Sequence, residues 1–352
     1  MNPIDPGLRV EQFDYDLPPE LIAQVPLDDR DASRLLVVER STSRVHHDAV
    51  RNLPALLRAG DLVVVNNTRV FAGRLRGRRA TGGKVEFLLL RREEGRWLAL
   101  AKPAKRLDVG ETVTLTAEDP VHVGRSTARV LTSLGEGLVE IALSDHVEAH
   151  LESVGAMPLP PYVRERLANH ERYQTVYATE LGSAAAPTAG LHMTQCLLED
   201  LRGTGINVGY ATLHVGLDTF RPVTVERVAD HVIHREWCEI GPELAEQIVE
   251  TRRHGGRVIA IGTTTARTLE TFGAKSGDGL AGGWAGWTDI FITPGYRWTV
   301  VDGMLTNFHL PRSTLLMMVS AFAGSELVRT AYEKAIAERY RFYSFGDAML
   351  IL

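Results

Sequence analysis

Residues Arg257-Val258-Ile259-Ala260-Ile261-Gly262 form the stretch of sequence that decides the fold. Four consecutive apolar residues between a glycine pair and a polar turn are typical of a strand buried on both faces. Leu244–Arg253, which precedes it, has apolar residues at helical spacing, and Gly255-Gly256 separates that helix from the strand. Thr265–Phe272 resumes the helical spacing. Helix, buried strand and helix in succession predict an α/β layer with a largely parallel sheet.

The same alternation extends over the chain from about residue 154. Thr194 is a predicted cap residue for a helix that ends near Gly203 and Gly205. The glycine-rich stretch Gly273–Gly286 is predicted to be a loop. The remaining predictions are strands at Val208–Val215, Thr288–Thr293, Met304–Thr306 and Ala348–Leu352, and helices at Thr314–Phe322 and Glu326–Arg339. We therefore expect an α/β fold with a mixed or mainly parallel sheet and helices on both faces.

The sequence pattern changes between about Asp61 and Ser144, where short runs of residues that favour strands alternate with glycines and turns. A closed barrel would remove the exposed edges of such strands. The predicted strands are Leu62–Val65, Val70–Arg79, Lys84–Arg91, Trp97–Ala101, Thr112–Thr116, Ala128–Thr132 and Leu138–Leu143. The first sixty residues contain a predicted strand at Arg34–Val38. The expected organisation is a discontinuous α/β domain, residues 1–65 and 154–352, with an inserted small all-β barrel domain, residues 66–153.

Length and composition limit the class of protein. At 352 residues, the chain is long enough for two domains, and its formal net charge of −5 argues against a protein that is basic throughout. Its only two cysteines, Cys196 and Cys238, make a disulfide framework or a cysteine zinc site implausible. No signal peptide is visible, and apolar runs such as Leu315–Val319 are too short to span a bilayer. We expect a cytoplasmic protein without a membrane partner.

Two segments join small residues to a histidine at positions where ligands bind. Gly182–His192, which includes Pro187-Thr188-Ala189-Gly190, precedes a helix whose free N–H groups could hold an anion. His214 follows a predicted strand and stands two residues before Gly216. Ligands of open α/β sheets bind outside the carboxyl ends of the strands. The same patterns are also typical of a tight connection and of a hydrogen-bonded structural histidine, so both interpretations remain open.

Two further strand ends carry dense polar groups. Gly262-Thr263-Thr264 leads into a helix that contains Arg267, and hydroxyl and N–H groups there suit a carboxylate or a ribose. An ordinary helix cap with an Arg267–Glu270 ion pair would have the same sequence. The second end is Thr306–Ser313, in which Asn307 and His309 flank Phe308, a side chain available for stacking. This density of groups favours a site over simple turn chemistry.

A possible metal site and a basic surface complete the candidates. His231, His234 and Glu236 could hold a metal, but the spacing and the lack of an obvious third ligand favour a hydrogen-bonding cluster, so no metal is predicted. Between Arg69 and Arg106, twelve Lys or Arg residues face only three acidic residues. Such an excess of basic residues in a chain of negative net charge favours a surface that binds the phosphates of a nucleic-acid backbone.

Taken together, these residues resemble the S-adenosylmethionine:tRNA ribosyltransferase-isomerase family of queuosine biosynthesis. The resemblance runs through ordered blocks at Phe13–Pro18, Leu21–Gln24, Asp31–Leu36, Asn66–Val70, Gly82–Glu86, Lys102–Leu107, Leu159–Tyr162, Tyr173–Tyr177, Ala185–His192, His214–Gly216, Thr288–Ile292, Pro294-Gly295, Thr306–Pro311 and Tyr343–Met349. Met193, Asp218 and Phe71-Ala72-Gly73 depart from it, because an aromatic residue, a glycine and Ile-Pro-Ala are usual there. The resemblance implies a two-domain enzyme that uses S-adenosylmethionine and a tRNA carrying 7-aminomethyl-7-deazaguanine at the wobble position. It implies epoxyqueuosine-tRNA, adenine and methionine as products.

The chemistry that the resemblance implies needs acid–base groups of near-neutral pKa, which histidine supplies. We hypothesise catalytic or adenine-contacting roles for His192, His214 and His309. Residues expected to bind S-adenosylmethionine are Pro187, Thr188, Ala189, Gly190, Gly216, Gly262, Thr263, Thr264, Arg267, Asn307 and Phe308. Residues expected to bind tRNA are Asn66, Arg69, Arg74, Arg76, Lys84, Lys102 and Arg106. S-adenosylmethionine would be consumed as a cosubstrate, with no resident cofactor and no obligate protein partner.

Two other functional classes remain as alternatives. A non-catalytic RNA-binding protein could keep the fold and the basic barrel. A metal-dependent hydrolase could use His231, His234 and Glu236.

Overall fold

The computed structural model describes residues 4–116, 120–122, 124–135, 137–165, 167, 169–216, 223–277 and 282–352. The chain forms two compact units. The α/β unit comprises Met1–Thr68, Pro161–Glu180 and Ala186–Leu352, and the barrel unit comprises Arg69–Pro160 and Leu181–Ala185. The limits of the inserted domain, 66–153, stay a prediction, because compactness alone does not establish which residues fold independently.

Both units contain strands and helices, which are numbered in chain order. The strands are β1 (Arg34–Glu39), β2 (Arg44–Ala49), β3 (Leu62–Asn66), β4 (Thr68–Val70), β5 (Arg74–Arg78), β6 (Lys84–Glu93), β7 (Arg96–Lys102), β8 (Thr112–Leu115), β9 (Thr127–Gly135), β10 (Leu138–Leu143), β11 (Glu180–Ser183), β12 (Asn207–Leu213), β13 (Glu236–Ile240), β14 (Val258–Ile261), β15 (Trp284–Thr288), β16 (Gly303–Asn307) and β17 (Ala348–Ile351). The α-helices are α1 (Leu53–Leu56), α2 (Asp145–Ala149), α3 (Leu151–Val154), α4 (Gln195–Gly203), α5 (Pro242–Arg253), α6 (Thr263–Ser276), α7 (Thr314–Ala323) and α8 (Ser325–Ala337). None of the helices in the described ranges is long and apolar enough to cross a bilayer.

The α/β unit is built on a nine-stranded mixed sheet in the order β15-β13-β12-β3-β14-β16-β17-β1-β2. Its centre is parallel, because β12 and β14 both run parallel to β3, and β16 runs parallel to β14. The last strand, β17, pairs antiparallel with β16 and parallel with β1, so it joins the N-terminal strands β1 and β2 to the rest of the sheet. The predicted mixed sheet is confirmed.

Alternating residues of the central strands enter two hydrophobic cores on opposite faces of the sheet. Val63 and Val65 of β3 pack with Leu197 of α4. Leu62 and Val64 pack on the other face, in the core that also contains residues of α5, α6, α7 and α8. Helices therefore cover both faces, as predicted. The same arrangement explains why the strands read as continuous apolar runs.

Six antiparallel strands of the barrel unit close into a barrel in the order β10-β7-β6-β5-β8-β9. Its inward-facing side chains, among them Leu75, Phe87 and Ile141, form a third core. Outward-facing positions alternate with them, and Arg76 and Arg78 are exposed on β5. The predicted all-β barrel is confirmed.

Leu62–Val65 is a strand, as predicted, and it lies in the large sheet, within the residues 1–65 assigned to the α/β domain. One strand prediction in the barrel region was wrong in part. The predicted strand Val70–Arg79 is broken between Val70 and Arg74. A tight turn causes the break, since the Gly73 N–H donates to the Phe71 carbonyl at 2.7 Å.

Two predictions near residue 280 were also wrong. The strand expected at Thr288–Thr293 lies earlier, at Trp284–Thr288, because this segment pairs along its whole length with β13. The predicted loop Gly273–Gly286 loses its first residues to α6, which continues through Ser276 and ends at Gly277. Gly277 has φ +59°, a left-handed conformation that glycine adopts readily.

Candidate functional site

The carboxyl ends of four neighbouring parallel strands meet at one edge of the large sheet. Asn66 ends β3, His214 follows β12, Gly262 follows β14 and Asn307 ends β16. Because these strands are adjacent and parallel, the sequence motifs after them are brought together. Ligands of open α/β sheets bind in this position.

A cleft of about 620 Å³ opens at this edge and is called cleft 1. It contains eight of the residues predicted to bind S-adenosylmethionine, together with His309. The lining residues are Tyr162, Ala186, Pro187, Thr188, Ala189, Val215, Gly262, Thr263, Thr264, Thr306, Asn307, Phe308, His309, Leu310, Ser313, Leu315, Tyr343 and Ser344. Small residues and hydroxyls dominate the wall formed by 186–189 and 262–264, so backbone groups can approach a ligand closely.

His192 lies behind this wall, where only 4% of its surface is exposed. Its Nδ1 is 3.0 Å from the Ser33 hydroxyl, and its Nε2 is 3.1 Å from the Asn307 amide nitrogen. Since Ser33 donates to the Arg30 carbonyl, the neutral ring donates from Nδ1 and accepts from Asn307 at Nε2. Thr188 completes the chain by donating to the Asn307 side-chain oxygen at 3.1 Å. His192 thus orients the cleft residue Asn307.

Burial of His192 should make stability depend on pH, because it lowers the pKa of this imidazole from 6.5 to about 4. Below pH 6.5 the His192 imidazole becomes protonated in the unfolded chain, whereas in the folded chain it stays neutral down to about pH 4. We expect His192 to reduce the free energy of unfolding by about 1.4 kcal/mol per pH unit as the pH falls from 6.5 to 4. Urea unfolding at several pH values should give a shallower slope for His192→Gln. His254→Gln, which changes an exposed histidine, should keep the original slope; equal slopes for all three proteins would contradict the assignment.

His309 lines cleft 1 directly. Its Nε2 is 2.7 Å from the Thr306 hydroxyl, and its backbone N–H donates to the Tyr332 hydroxyl at 2.9 Å. Burial lowers the pKa of His309 to about 3, so the imidazole is neutral at neutral pH. A neutral imidazole in this place can accept a proton or a hydrogen bond from a ligand.

His214 takes a different position. Its Nδ1 lies 2.8 Å from the Thr68 hydroxyl, and its ring stacks on Trp237 with centroids 5.3 Å apart. Burial lowers the pKa of His214 as well. Both contacts fix the ring at the end of β12, and its predicted catalytic role stays a prediction.

A second cleft of about 690 Å³ adjoins the first and is called cleft 2. The two share Thr263, Thr264 and Leu315. The residues of cleft 2 are Gly216, His231, Ile233, His234, Arg235, Glu236, Thr263, Thr264, Arg267, Ile290, Phe291, Ile292, Thr314, Leu315 and Met318. Two further predicted binding residues, Gly216 and Arg267, therefore belong to this cleft.

A buried ion pair forms one wall of cleft 2. Arg267 is hydrogen-bonded to Glu236, and both side chains are less than a tenth exposed. Arg267 also donates to the His234 carbonyl at 2.9 Å, while Glu236 accepts from the Gly216 N–H at 2.8 Å. The alternative Arg267–Glu270 pair is wrong, because Glu270 instead accepts from backbone and side-chain donors of residues 296–301.

The first turn of α6 separates the two clefts. The first N–H groups of a helix have no partner within the helix and can bind a carboxylate or phosphate. Gly262 begins this turn at φ +92°, which disfavours any side chain there. Gly190 has a different reason to be glycine, since a Cβ at this position would lie 2.2 Å from the Tyr177 hydroxyl. Gly190 is thus required by packing, and its predicted role in binding S-adenosylmethionine stays a prediction.

Comparison with known proteins identifies the family. The sequence profile described as queuosine biosynthesis protein matches residues 10–351. The chain belongs to the queuosine biosynthesis protein family. It is 52% identical over 347 residues to the S-adenosylmethionine:tRNA ribosyltransferase-isomerase of Symbiobacterium thermophilum, and 52% identical over 350 residues to that of Moorella thermoacetica. Each alignment covers 98% of this chain and 100% of the relative.

A solved structure of the queuosine biosynthesis family also matches. The crystal structure of S-adenosylmethionine tRNA ribosyltransferase from Thermotoga maritima is 37% identical, with 97% of this chain and 100% of that chain covered and a TM-score of 0.56. The resemblance inferred from the sequence blocks is confirmed.

Sequence reasoning missed the aromatic groups of this family member's first cleft. Tyr162 and Tyr343 both line it, with ring centroids 4.8 Å apart, and the Tyr162 hydroxyl is 2.6 Å from that of Ser344. Phe308, expected to stack on a ligand, is instead fully buried in an aromatic cluster. The signal for the tyrosines was their place in two of the family blocks. Tyr343 also has φ +70°, which is uncommon outside glycine and often marks a site.

Of the three departures from the family pattern, Phe71-Ala72-Gly73 forms the tight turn before β5. Met193 is fully buried and packs in the core with Leu197, so it does not reach a ligand in cleft 1. Asp218 lies outside the described residues.

The basic residues predicted to bind tRNA divide into two groups. Arg76, Lys84 and Lys102 line a groove of about 900 Å³ on the barrel unit, together with Gly77, Arg78, Val85, Glu86, Pro103 and Thr116. Arg106 is exposed, and Arg69 is half-buried. Arg74 donates to the Leu159 carbonyl at 3.0 Å and lies 3.6 Å from Glu86. The groove that Arg76, Lys84 and Lys102 line is called the basic groove.

Asn66 is the exception among these residues, because it is buried in the α/β unit. Its amide nitrogen donates to the Leu213 carbonyl at 3.0 Å, and its oxygen accepts from the Leu213 N–H at 3.0 Å. These bonds tie β3 to β12. Asn66 therefore supports the edge of the sheet and does not present its amide to solvent.

The possible metal group at His231, His234 and Glu236 does not assemble. Glu236 is occupied by Arg267 and Gly216, and the His231 ring packs edge-on against Phe291 with centroids 5.5 Å apart. Within the described ranges, the one group of three potential ligands lies elsewhere, in the barrel unit.

Proposed function

We propose that this chain transfers and isomerises the ribosyl moiety of S-adenosylmethionine onto 7-aminomethyl-7-deazaguanine at the wobble position of tRNA. The products are epoxyqueuosine-tRNA, adenine and methionine. S-adenosylmethionine is consumed as a cosubstrate, and the reaction takes place in the cytoplasm with no resident cofactor and no obligate protein partner. Membership of the queuosine biosynthesis family and the activity for which its relatives are named support this proposal.

One observation carries the proposal beyond family membership: clefts 1 and 2 meet at the first turn of α6. A cosubstrate made of a nucleoside and an amino acid has two chemically different ends. Two adjoining clefts of different character suit such a molecule, with the reacting ribose at the shared residues Thr263 and Thr264. Their hydroxyls and the N–H groups of α6 supply hydrogen bonds there.

Cleft 1 suits the adenosyl end. Tyr162 and Tyr343 offer aromatic faces against which a purine can stack. Asn307 stands in the same cleft and is oriented by His192 and Thr188, so its amide can read a polar edge of the base.

Cleft 2 suits the methionine end. Phe291 and Met318 provide soft apolar contacts for a thioether chain. Thr263 and Thr264 of the first turn of α6 also line cleft 2, and the N–H groups at the start of a helix suit a carboxylate. Arg267 is paired with Glu236, so its role is to hold the cleft wall rather than to bind the carboxylate alone.

Proton transfer needs few groups. The sulfonium of S-adenosylmethionine acidifies the C5′ protons, so a positioned base can start the reaction; breaking the S–C5′ bond releases methionine. His309 lines cleft 1 and is unprotonated at neutral pH, so it is the histidine placed to take that proton, although its lowered pKa makes it a weaker base than a free imidazole. Because the ring carries no extra proton before that step, protonation of the departing adenine is left to another group. His192 acts through Asn307 and is a positioning residue.

The basic groove would bind the tRNA backbone. We expect Arg76→Ala and Lys84→Ala to weaken tRNA binding and to reduce the slope of log affinity against log salt by about 1 each, because each removes one phosphate contact. Filter binding or fluorescence anisotropy at several salt concentrations measures this. Arg329→Ala, which removes an exposed arginine of α8, is the matched control and should leave affinity and slope unchanged. Equal slopes in all four proteins would contradict a tRNA-binding role of the groove.

The decisive experiment is mass spectrometry of the wobble nucleoside. Substrate tRNA is incubated with the chain and S-adenosylmethionine, and the digest is examined for epoxyqueuosine while free adenine is quantified. Both products are expected. Tight tRNA binding without either product would instead support the non-catalytic RNA-binding alternative. Unchanged activity after chelation would dismiss the metal-dependent hydrolase alternative, in which Glu236 is already occupied by Gly216 and Arg267.

A further inference from the structure

Three histidines of the barrel unit converge at one place that the proposed reaction does not use. His122 ends the turn Pro120–His122, His146 lies in α2, and His150 follows the end of that helix. One ring nitrogen from each lies within 4.8 Å of those from the other two. The separation of His146 and His150 by four residues places both rings on the same side of the helix.

We propose that His122, His146 and His150 bind one divalent transition-metal ion of the Zn²⁺ class. Imidazole nitrogen is a preferred ligand of such ions, and three histidines leave a fourth position for water. Two nitrogens on a tetrahedral zinc stand about 3.4 Å apart, given Zn–N bonds of about 2.0–2.1 Å. The observed nitrogens lie within 4.8 Å of one another, and the His122 and His146 nitrogens are 2.9 Å apart, so rotation of the rings can bring them to that spacing.

Existing hydrogen bonds prepare the rings for this role. His150 Nδ1 is 2.9 Å from the His146 carbonyl, so this nitrogen carries the proton and Nε2 keeps its lone pair for a metal. His122 Nδ1 is 2.9 Å from His146 Nε2. A metal would replace the proton shared by these two atoms, and the ring that donates it would move its N–H to its other nitrogen.

The elements that carry the three rings are held by the barrel. Val147 of α2 is buried in the barrel core, and Glu148 accepts a hydrogen bond from the Trp97 indole at 2.9 Å. The His122 carbonyl accepts from Ser126 at 3.0 Å. A bound ion would therefore tie the 120–122 turn to α2 and act as a structural staple. Arg125 stands nearby and opposes a cation, which limits the affinity.

The test measures Zn²⁺ binding to the untagged, full-length chain after treatment with a chelator. We expect about one ion per chain by calorimetry, and at least a tenfold weaker affinity after His122→Ala, His146→Ala or His150→Gln. Co²⁺ in the same site should give the intense visible absorption of a four-coordinate ion. Saturating Zn²⁺ should also raise Tm by several degrees, because the ion binds only the folded chain.

His254→Gln is the matched control. His254 is exposed and its Nδ1 contacts the carbonyl four residues before it, at 2.8 Å, as His150 does, but it lacks two histidine neighbours. Unchanged affinity in the three cluster variants, or an equal loss in His254→Gln, would overturn the proposal. Because His150 is exposed, His150→Gln should fold normally and can decide the question alone. None of these readouts depends on ribosyl transfer, so failure of the metal proposal leaves the proposed activity untouched.

Discussion

Replacement of Arg267 by Met should lower the free energy of unfolding by about 3–5 kcal/mol. The substitution removes the guanidinium that neutralises Glu236 and leaves that carboxylate buried without its charged partner. It also removes the donor to the His234 carbonyl. Urea unfolding at pH 7 measures the loss, and Arg253→Met is the matched control. The Arg253–Glu250 pair is exposed at 3.0 Å and should contribute no more than about 1 kcal/mol.

A double-mutant cycle separates the ion pair from simple packing. Arg267→Met combined with Glu236→Gln should recover part of the lost stability, because no unpaired charge then remains in the core. A single variant within 1 kcal/mol of the Arg253→Met control would contradict the buried-pair interpretation. So would a double variant whose loss equals the sum of the two single losses.

The second large effect concerns turnover. His309→Gln should reduce kcat for adenine release by about 10²–10⁴-fold, because glutamine can form hydrogen bonds but cannot take up a proton. The KM for S-adenosylmethionine should change far less, since the side chain keeps its polarity. Thr306→Val removes only the hydroxyl that contacts His309 Nε2 and should reduce kcat by about tenfold at most. A kcat of His309→Gln within threefold of the original would exclude His309 as the base.

Much of the fold could be predicted from local patterns. The apolar run Val258–Ile261 and the helix α5 before it were found from spacing alone. Thr194 was recognised as a helix cap, and its hydroxyl accepts from the Leu197 N–H at 3.1 Å. Such features succeed because hydrophobic period and capping chemistry are encoded within a few residues.

Features that depend on distant partners could not be predicted in the same way. The edge strand Trp284–Thr288 contains two tryptophans that each follow a glycine. It forms a strand because each of its residues pairs with a residue of β13. Arg267 had an acidic residue three positions away, yet it pairs with Glu236 in the wall of cleft 2. Local spacing indicates which residues could pair, but burial and tertiary contacts determine which of them do pair.

The candidate site shows the same division. Strand-end motifs predicted most of cleft 1, because parallel strands deliver their carboxyl ends to one edge. Tyr162 and Tyr343 are separated by 181 positions in the chain, and only the fold reveals that they face one cleft. His122 likewise stands apart from the pair His146 and His150, so the sequence alone did not suggest the group of three.

The position of β17 also sets an order of events during synthesis. Strands β1 and β2 are made early, yet β1 meets the sheet through β17, whose residues follow about 300 positions later. At about 5–20 residues per second, the ribosome needs roughly 15–60 s to supply the missing strand. Until then the edge of β1 that pairs with β17 has no partner strand and can pair wrongly.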